Sequence, residues 1–360
     1  MTTMELTNLQ RLPAPLLAWY DANRRALPWR EEVSPYRTWV SEIMLQQTRV
    51  QAVLPYFQRF MEAVPDVQTL AELPEEQLLR LWQGLGYYSR ARNLKKAAQT
   101  VVNDCGGVFP DTYEALRSLA GIGDYTAGAI LSIAYGIAEP AIDGNVLRVM
   151  ARLCNDDRNV LDTPVQKDTY TALSSLFEQY HKKQFVRSFT QGLMELGETI
   201  CLPNTQPQCH KCPLQHSCKA HAMHTEAALP VRIKKTTRKT AERTLCILRC
   251  EDSFLLHKRD AKGLLANLYE FYGIEHFCSA EEIQSVLQQQ GFTIKHIHPL
   301  PPSRHLFTHI EWNMKAYEIE VEKPDHLLDD SFVFFSREEI SHLAIPSAFK
   351  KYVELYGLRK

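Results

Sequence analysis

The sequence contains no long apolar run and no marked excess of charge of either sign. Its 360 residues carry 41 lysines and arginines against 42 aspartates and glutamates. No stretch approaches the roughly 18 consecutive apolar residues that cross a bilayer. Residues 1–25 lack a basic segment followed by an apolar core, which argues against a secretory signal. These absences predict a cytoplasmic protein with no membrane partner.

The chain also lacks internal repeats, low-complexity tracts and any oligomerisation signal, so we expect a monomer. Nine cysteines without a secretory signal argue against a disulfide framework and favour metal binding or burial. Five of them are scattered and are interpreted as isolated thiols: Cys105, Cys154, Cys246, Cys250 and Cys278.

Helical periodicity extends over almost all of residues 1–222. Residues 8–24 and a segment starting near Tyr36 are predicted as helices, and the pattern continues from 162 to 197. Prolines are predicted to mark helix boundaries at Pro55, Pro65, Pro74 and Pro110. Residues 223–243 are basic and aperiodic, which predicts a linker.

Beyond the linker, the pattern changes to alternating strands and two helices. Strands are predicted at 245–249, 253–258 and 312–321, and helices at 280–290 and 347–356. The predicted fold is therefore multidomain, with an all-α domain at 1–222 followed by an α+β domain at 244–360.

A short glycine turn, Leu119–Gly123, lies between helical patterns and is followed by a lone acid, Asp143. Gly121 and Gly123 allow the backbone to approach a ligand closely, and free N–H groups there suit a phosphate. A helix connector without chemistry shows the same pattern. A second glycine turn at 84–92 leads into tyrosines and arginines, which suits either DNA contacts or a plain helix start.

Glu42 stands in an apolar helical pattern, next to Val40 and Ile43. A carboxyl group in such surroundings either faces water or is buried with a raised pKa. The exposed arrangement is the commoner one for a helical glutamate. The pattern alone leaves both alternatives open.

Four cysteines are clustered within 18 residues as C-x7-C-x2-C-x5-C: Cys201, Cys209, Cys212 and Cys218. Four thiolates at this spacing can enclose a zinc ion or an iron–sulfur cluster. A zinc ribbon usually has two Cys-x2-Cys pairs, whereas one is present here, so the uneven loops favour a cluster. The neighbouring histidines are interpreted as surface residues: His210, His216 and His221.

Together these features resemble the endonuclease III superfamily of base-excision DNA glycosylases, and within it the MutY-type adenine DNA glycosylases. The resembling segments are 41–48 (SEIMLQQT), 84–90 (GLGYYSR), 119–123, 142–148 and 194–197 (MELG). The resemblance implies a helix-hairpin-helix domain that contacts DNA through Gly121 and Gly123, with a 4Fe–4S cluster loop at 201–218. The chain departs from the family by one extra residue between Cys201 and Cys209 and by Ala120 in place of proline.

The resemblance implies excision of adenine paired with 8-oxoguanine or guanine in double-stranded DNA. Glu42 would protonate the adenine, and Asp143 would stabilise the oxocarbenium-like sugar or capture it covalently. Tyr125 and Asn145 would orient Asp143 and the water. Bifunctional relatives carry a lysine at the Tyr125 position, whereas this chain has none between 96 and 167, so a monofunctional enzyme is expected.

The resemblance also implies binding residues around the extruded nucleotide. Trp29, Arg30 and Glu195 would line the adenine pocket. Gln47 and Tyr87 would fill the gap left in the duplex.

The C-terminal part resembles a Nudix-like module. Residues 263–271 resemble the entry to a Nudix box, but the acidic helix that holds magnesium is missing from the residues after 271. The module is therefore expected to recognise 8-oxoguanine, through Phe307, Thr308 and His309, which match the family's Phe-Ser-His loop.

Two other functions stay open. A thymine-directed glycosylase of the same superfamily is disfavoured by the 87–90 turn, by Tyr125 and by the appended domain. A catalytically silent DNA-binding protein is disfavoured because Glu42 and Asp143 both stand in their motif contexts.

Overall fold

The computed structural model describes residues 9–233, 238–322, 324 and 331–358, so residues 234–237 of the predicted linker lie outside the described chain. The chain forms two compact units that are not contiguous in sequence. The first contains the described residues up to 73 and from 92 to 233, and the second contains 74–91 and the described residues from 238 onward. No described helix is both long and apolar enough to cross a bilayer.

Helices account for nearly all regular structure before residue 223. In chain order they are α1 (Pro13–Asn23), α2 (Pro28–Glu31), α3 (Pro35–Leu45), α4 (Val50–Ala63), α5 (Val67–Glu72), α6 (Glu75–Leu81), α7 (Ser89–Cys105), α8 (Tyr113–Ser118), α9 (Asp124–Ala129), α10 (Gly144–Cys154), α11 (Thr163–Gln179), α12 (Lys183–Thr199) and α13 (Lys219–Ala222). A π-helical segment, Ile130–Tyr135, continues α9.

The prediction that Pro55 marks a helix boundary is wrong, because Pro55 lies inside α4. A proline in a helix leaves the carbonyl four residues earlier without a partner. That carbonyl belongs to Gln51, which is exposed, as is Pro55. The helix persists because its opposite face is fully buried through Val53, Phe57 and Phe60.

The hydrophobic core of the first unit lies where α10 and α12 meet α11. It includes Val146, Val149, Met150 and Leu153 of α10 and Phe189, Leu193 and Leu196 of α12. Each fully buried side chain of this kind contributes about 1.5–3 kcal/mol of transfer free energy. This packing fixes the N-terminus of α10, where Asp143 is located.

The second unit is built on a six-stranded mixed sheet in the order β4-β5-β1-β3-β2-β6. Its elements are β1 (Lys239–Cys250), β2 (Ser253–Lys258), β3 (Tyr269–Ile274), α14 (Ala280–Gln289), β4 (Ile294–Leu306), β5 (Ile310–Val321), β6 (Phe332–Ser336), α15 (Arg337–Ser341) and α16 (Lys350–Leu355). Strands β1 and β5 are parallel, and the other pairs are antiparallel.

Alternation along β1 gives the sheet two buried faces. Leu245 and Ile247 pack with Tyr352 of α16, whereas Cys246 and Leu248 pack with Ile283 of α14. This is the period of two expected for a strand covered on both sides.

The predicted strand at 253–258 coincides with β2, whereas β1 starts at Lys239, inside the segment interpreted as a linker. Strand β4 was not predicted, because it contains Pro299, Pro301 and Pro302. It lies at an edge of the sheet, where prolines are tolerated.

Candidate functional site

A cavity of about 630 Å³ opens in the first unit between α3, α10 and α12. Glu42, Tyr125, Asp143 and Asn145 all line it, so the four residues predicted to act in catalysis lie around one space. No lysine is among the described residues that line this cavity.

Glu42 is buried on α3, so of the two arrangements that the sequence left open, exposed or buried, the structure has the buried one. Ser34 caps the helix by accepting the N–H of Arg37 at 3.1 Å, and Pro35 occupies its first turn. Burial raises the pKa of Glu42 to about 7, while a hydrogen bond from the Tyr125 hydroxyl to Oε2 opposes the shift. Glu42 can therefore carry a proton near neutral pH.

Asp143 is the N-cap residue of α10. Its Oδ1 accepts the N–H of Val146 at 2.8 Å, and its Oδ2 accepts Nδ2 of Asn145 at 2.7 Å. Burial raises the pKa of Asp143, whereas these donors oppose the shift by stabilising the charged form. Asn145 therefore contacts Asp143, whereas the Tyr125 hydroxyl contacts Glu42.

Two arginines, one of them unexpected, line the cavity beside Trp29. Arg30 Nη2 lies 2.8 Å from Glu195 Oε2, and Arg25 Nε lies 2.5 Å from Glu195 Oε1. Burial acts to raise the pKa of Glu195, but Arg25 and Arg30 outweigh it and lower that pKa. Glu195 is only 1% exposed and, contrary to the prediction, does not line the cavity.

The lining carboxylate on α12 is Glu198, whose Oε2 lies 2.6 Å from Arg25 Nη2. Sequence reasoning missed both Arg25 and Glu198. The i, i+3 spacing of Glu195 and Glu198 on a helix could have indicated that they share a face.

Arg148 and Arg152 of α10 connect the cavity to the cysteine loop. Arg148 Nη2 donates to the Gly197 carbonyl at 2.7 Å and to Asn145 Oδ1 at 2.8 Å, and its Nε donates to the Cys201 carbonyl at 2.7 Å. Arg152 Nη1 donates to the Cys201 sulfur at 3.2 Å. Both arginines are buried, and neither was predicted.

The four clustered cysteines are half-buried in the described structure, and three of them border the core of the first unit. Burial raises the pKa of Cys212 to about 12, while the N–H of Leu214 donates to its sulfur. Cys209 also lies near two residues that the sequence did not indicate, His221 and Glu226. The ligand atoms of these three residues lie within 4.8 Å of one another. His221 is thus paired with Glu226, at 3.3 Å, rather than being a plain surface residue.

Gln47 and Tyr87, the predicted gap-filling residues, both have positive φ angles, of 58° and 50°. Such a backbone is unfavourable for residues other than glycine and is enriched at functional sites. Gln47 lines the cavity. Tyr87 is 44% exposed in the second unit, and its hydroxyl lies 3.0 Å from Thr308 Oγ1.

Phe307, Thr308 and His309 form the tight connection between β4 and β5. The N–H of Phe307 donates to the Ile310 carbonyl at 2.9 Å, and the Phe307 ring lies 4.8 Å from that of Trp312. The hydroxyl of Thr308 is thereby held beside Tyr87.

The predicted DNA-contacting turn joins α8 to α9. Gly121 has φ of 77°, and a Cβ atom there would lie 2.7 Å from Cβ of Asn93, so only glycine fits. A Cβ at Gly123 would meet nothing within 4 Å. The backbone of the turn therefore requires glycine at 121, whereas the space beside residue 123 is open.

Residues 40–179 match the family model described as HhH-GPD superfamily base excision DNA repair protein, and residues 243–355 match the NUDIX domain. The chain is 34% identical to an adenine DNA glycosylase of Buchnera aphidicola subsp. Baizongia pistaciae over 82% of each protein. It is 33% identical to that of Rattus norvegicus, over 95% of this chain and 77% of the relative. For the Homo sapiens protein the identity is 30%, over 95% and 73%.

Solved structures share the fold of part of the chain. A thermostable thymine-DNA glycosylase superposes with a TM-score of 0.54 at 26% identity, covering 60% of this chain and 98% of the other. A trapped endonuclease III–DNA covalent intermediate, at 22% identity and a TM-score of 0.50, shares the fold. The cavity and these relatives together place the chain in the family of adenine DNA glycosylases, base-excision repair enzymes that hydrolyse the N-glycosidic bond of adenine.

Proposed function

We propose that the enzyme removes adenine paired with 8-oxoguanine or guanine in double-stranded DNA, with Glu42 as the general acid. The observation that carries this proposal is the buried Glu42, with a pKa of about 7, in the same cavity as Asp143. A carboxyl group with this pKa holds a proton at the pH where the reaction runs and can still release it.

The proposed reaction follows from the different surroundings of Glu42 and Asp143. The extruded adenine enters the cavity, and the Glu42 proton passes to a ring nitrogen of the base. The bond between C1′ and the base then breaks, and its electron pair leaves with the adenine. Asp143 stabilises the positive charge that develops on the sugar, and water adds to C1′ with loss of a proton.

The pairing preference is assigned to the second unit. The Thr308 hydroxyl, held beside the Tyr87 hydroxyl at 3.0 Å, supports a hydrogen bond to a base in the duplex. Thr308 keeps the hydroxyl of the serine in the family loop that touches 8-oxoguanine, which favours this base over guanine.

Duplexes with one defined mispair test the proposal. We expect single-turnover release of adenine opposite 8-oxoguanine and guanine, detected by alkaline cleavage at the abasic site. Glu42→Gln and Asp143→Asn should each slow release at least 100-fold, because general acids and charge-stabilising groups supply about that factor. DNA binding should be retained. Thymine release without adenine release, or binding without any release, would contradict the proposal.

We also propose that Cys201, Cys209, Cys212 and Cys218 hold a 4Fe–4S cluster. The donor set supports this, since four free thiols occur within 18 residues of one loop and N–H groups of Arg152 and Leu214 donate to two of the sulfurs. Such a cluster would fasten the loop 201–218, and base excision needs no redox step from it.

Iron and sulfide analysis, with the absorbance near 400 nm typical of such clusters, tests this assignment. Cys212→Ser should abolish the absorbance, whereas the control Cys250→Ser should leave it unchanged. Zinc in place of iron would contradict the cluster. Metal that disappears only in His221→Ala would instead favour a mononuclear site at Cys209, His221 and Glu226.

A further inference from the structure

Two carboxylates of α12 stand near the adenine cavity, but their oxygens are engaged differently. Glu195 Oε1 accepts Arg25 Nε, and its Oε2 accepts both Arg25 Nη2, at 2.9 Å, and Arg30 Nη2. Glu195 is also 1% exposed and absent from the cavity lining. It therefore binds both arginines from the buried side and does not face the cavity.

Glu198, one turn later, contacts the same arginine from the cavity side. Its side chain is 36% exposed and lines the cavity that also contains Glu42. Arg25 fixes Oε2 at 2.6 Å, whereas Oε1 accepts no hydrogen bond from the part of the chain that the structure describes. The arginine thus orients Glu198 while one oxygen stays available on the cavity side.

We propose that Glu198 is a specificity-determining residue, which accepts a hydrogen bond from the exocyclic amine of the extruded adenine. This inference rests on the proposed function, because it requires adenine to occupy this cavity. A carboxylate only accepts, and the 6-amino group of adenine donates. A 6-oxo purine would present an acceptor to an acceptor, so Glu198 rejects guanine and hypoxanthine.

The experiment compares single-turnover release of adenine and hypoxanthine from otherwise identical duplexes. In Glu198→Gln the amide can donate to a 6-oxo group, so the ratio of the hypoxanthine rate to the adenine rate should rise about tenfold or more. Glu195→Gln is the matched variant on the same helix. It should lower the unfolding midpoint, because it weakens a buried ion pair, and change the ratio far less than Glu198→Gln, because residue 195 does not line the cavity.

An unchanged ratio in an active, folded Glu198→Gln enzyme would overturn the proposal. So would an equal change of the ratio in Glu195→Gln, because the base would then be read through the buried arginine pair. Failure of the proposed function gives a different result, since the wild-type enzyme would then release no adenine from the adenine-containing duplex.

Discussion

Glu42 and Asp143 are both buried carboxyl groups, but their surroundings separate their roles. Asp143 accepts two hydrogen bonds at the N-terminus of α10, where the helix dipole also favours a negative charge. Glu42 receives one hydrogen bond, from Tyr125, and burial dominates its pKa. This difference supports the proposal that Glu42 carries the proton and Asp143 the negative charge.

The raised pKa of Glu42 predicts how stability depends on pH. Because its pKa is about 7 in the folded protein and 4.5 ordinarily, protonation favours the folded state. The stability that comes from the protonated Glu42 is fully present below pH 4.5, and it is lost as the pH rises to about 7. Glu42→Gln should therefore be more stable than the wild type by about 3 kcal/mol at pH 8, at about 1.4 kcal/mol per pKa unit.

Urea unfolding of the two proteins between pH 5 and pH 8 checks this prediction. The difference in unfolding free energy should shrink steadily toward pH 5. A constant difference over the whole range would show that the Glu42 carboxyl is not the group responsible. The rate at which the wild-type enzyme releases adenine should fall above about pH 7, because the proposed general acid, Glu42, loses its proton there.

At the scale of elements, the crossing of α10 and α12 controls the position of Asp143. A Cβ atom at Gly197 of α12 would lie 2.6 Å from Cβ and 3.2 Å from Cα of Asn145. Real Cβ atoms do not approach so closely, so the helices meet here because residue 197 is glycine. Asn145, in turn, holds Asp143.

Gly197→Ala should therefore displace the start of α10, slow adenine release and cost about 1–3 kcal/mol of stability. Gly192→Ala on the same helix is the control, since its Cβ would meet Leu16 at an acceptable 3.4 Å. That variant should keep its activity and gain some helix propensity. Unfolding curves and single-turnover rates measure both effects. Equal behaviour of the two variants would contradict the role of the crossing.

Local pattern predicts the helical first unit and the strand β2, because periodicity and turn residues are local properties. The sequence motifs also identify Glu42 and Asp143 as candidate site residues. Local pattern does not reveal Arg25, whose partner Glu195 is 170 residues away, or the edge strand β4, where prolines hide the pattern. Pairing at that separation depends on packing, which a single sequence does not display.

At the scale of the whole molecule, the proposed function assigns excision to the first unit and recognition of the opposing base to the second. The first contains the acids of the cavity, and the second contains Thr308 together with Tyr87. Substitutions in the second unit should therefore change the preference for the opposing base and leave the chemistry on a common substrate intact.

Thr308→Val, which removes the hydroxyl at nearly constant size, should reduce the preference for 8-oxoguanine over guanine by about three- to tenfold, the worth of one hydrogen bond. Thr308→Ser keeps the hydroxyl and should retain the preference. The measurement is the rate of adenine release opposite 8-oxoguanine and opposite guanine for the wild type, Thr308→Val and Thr308→Ser. The same loss in both variants would point to packing instead of hydrogen bonding.

The guanidinium of Arg148 touches the side chain that steadies Asp143, the backbone of α12 and the first cysteine of the loop. A change in the cysteine loop that shifts the Cys201 carbonyl would accordingly reach Asp143 through Arg148 and Asn145 as a loss of preorganisation, with both acids of the cavity chemically intact.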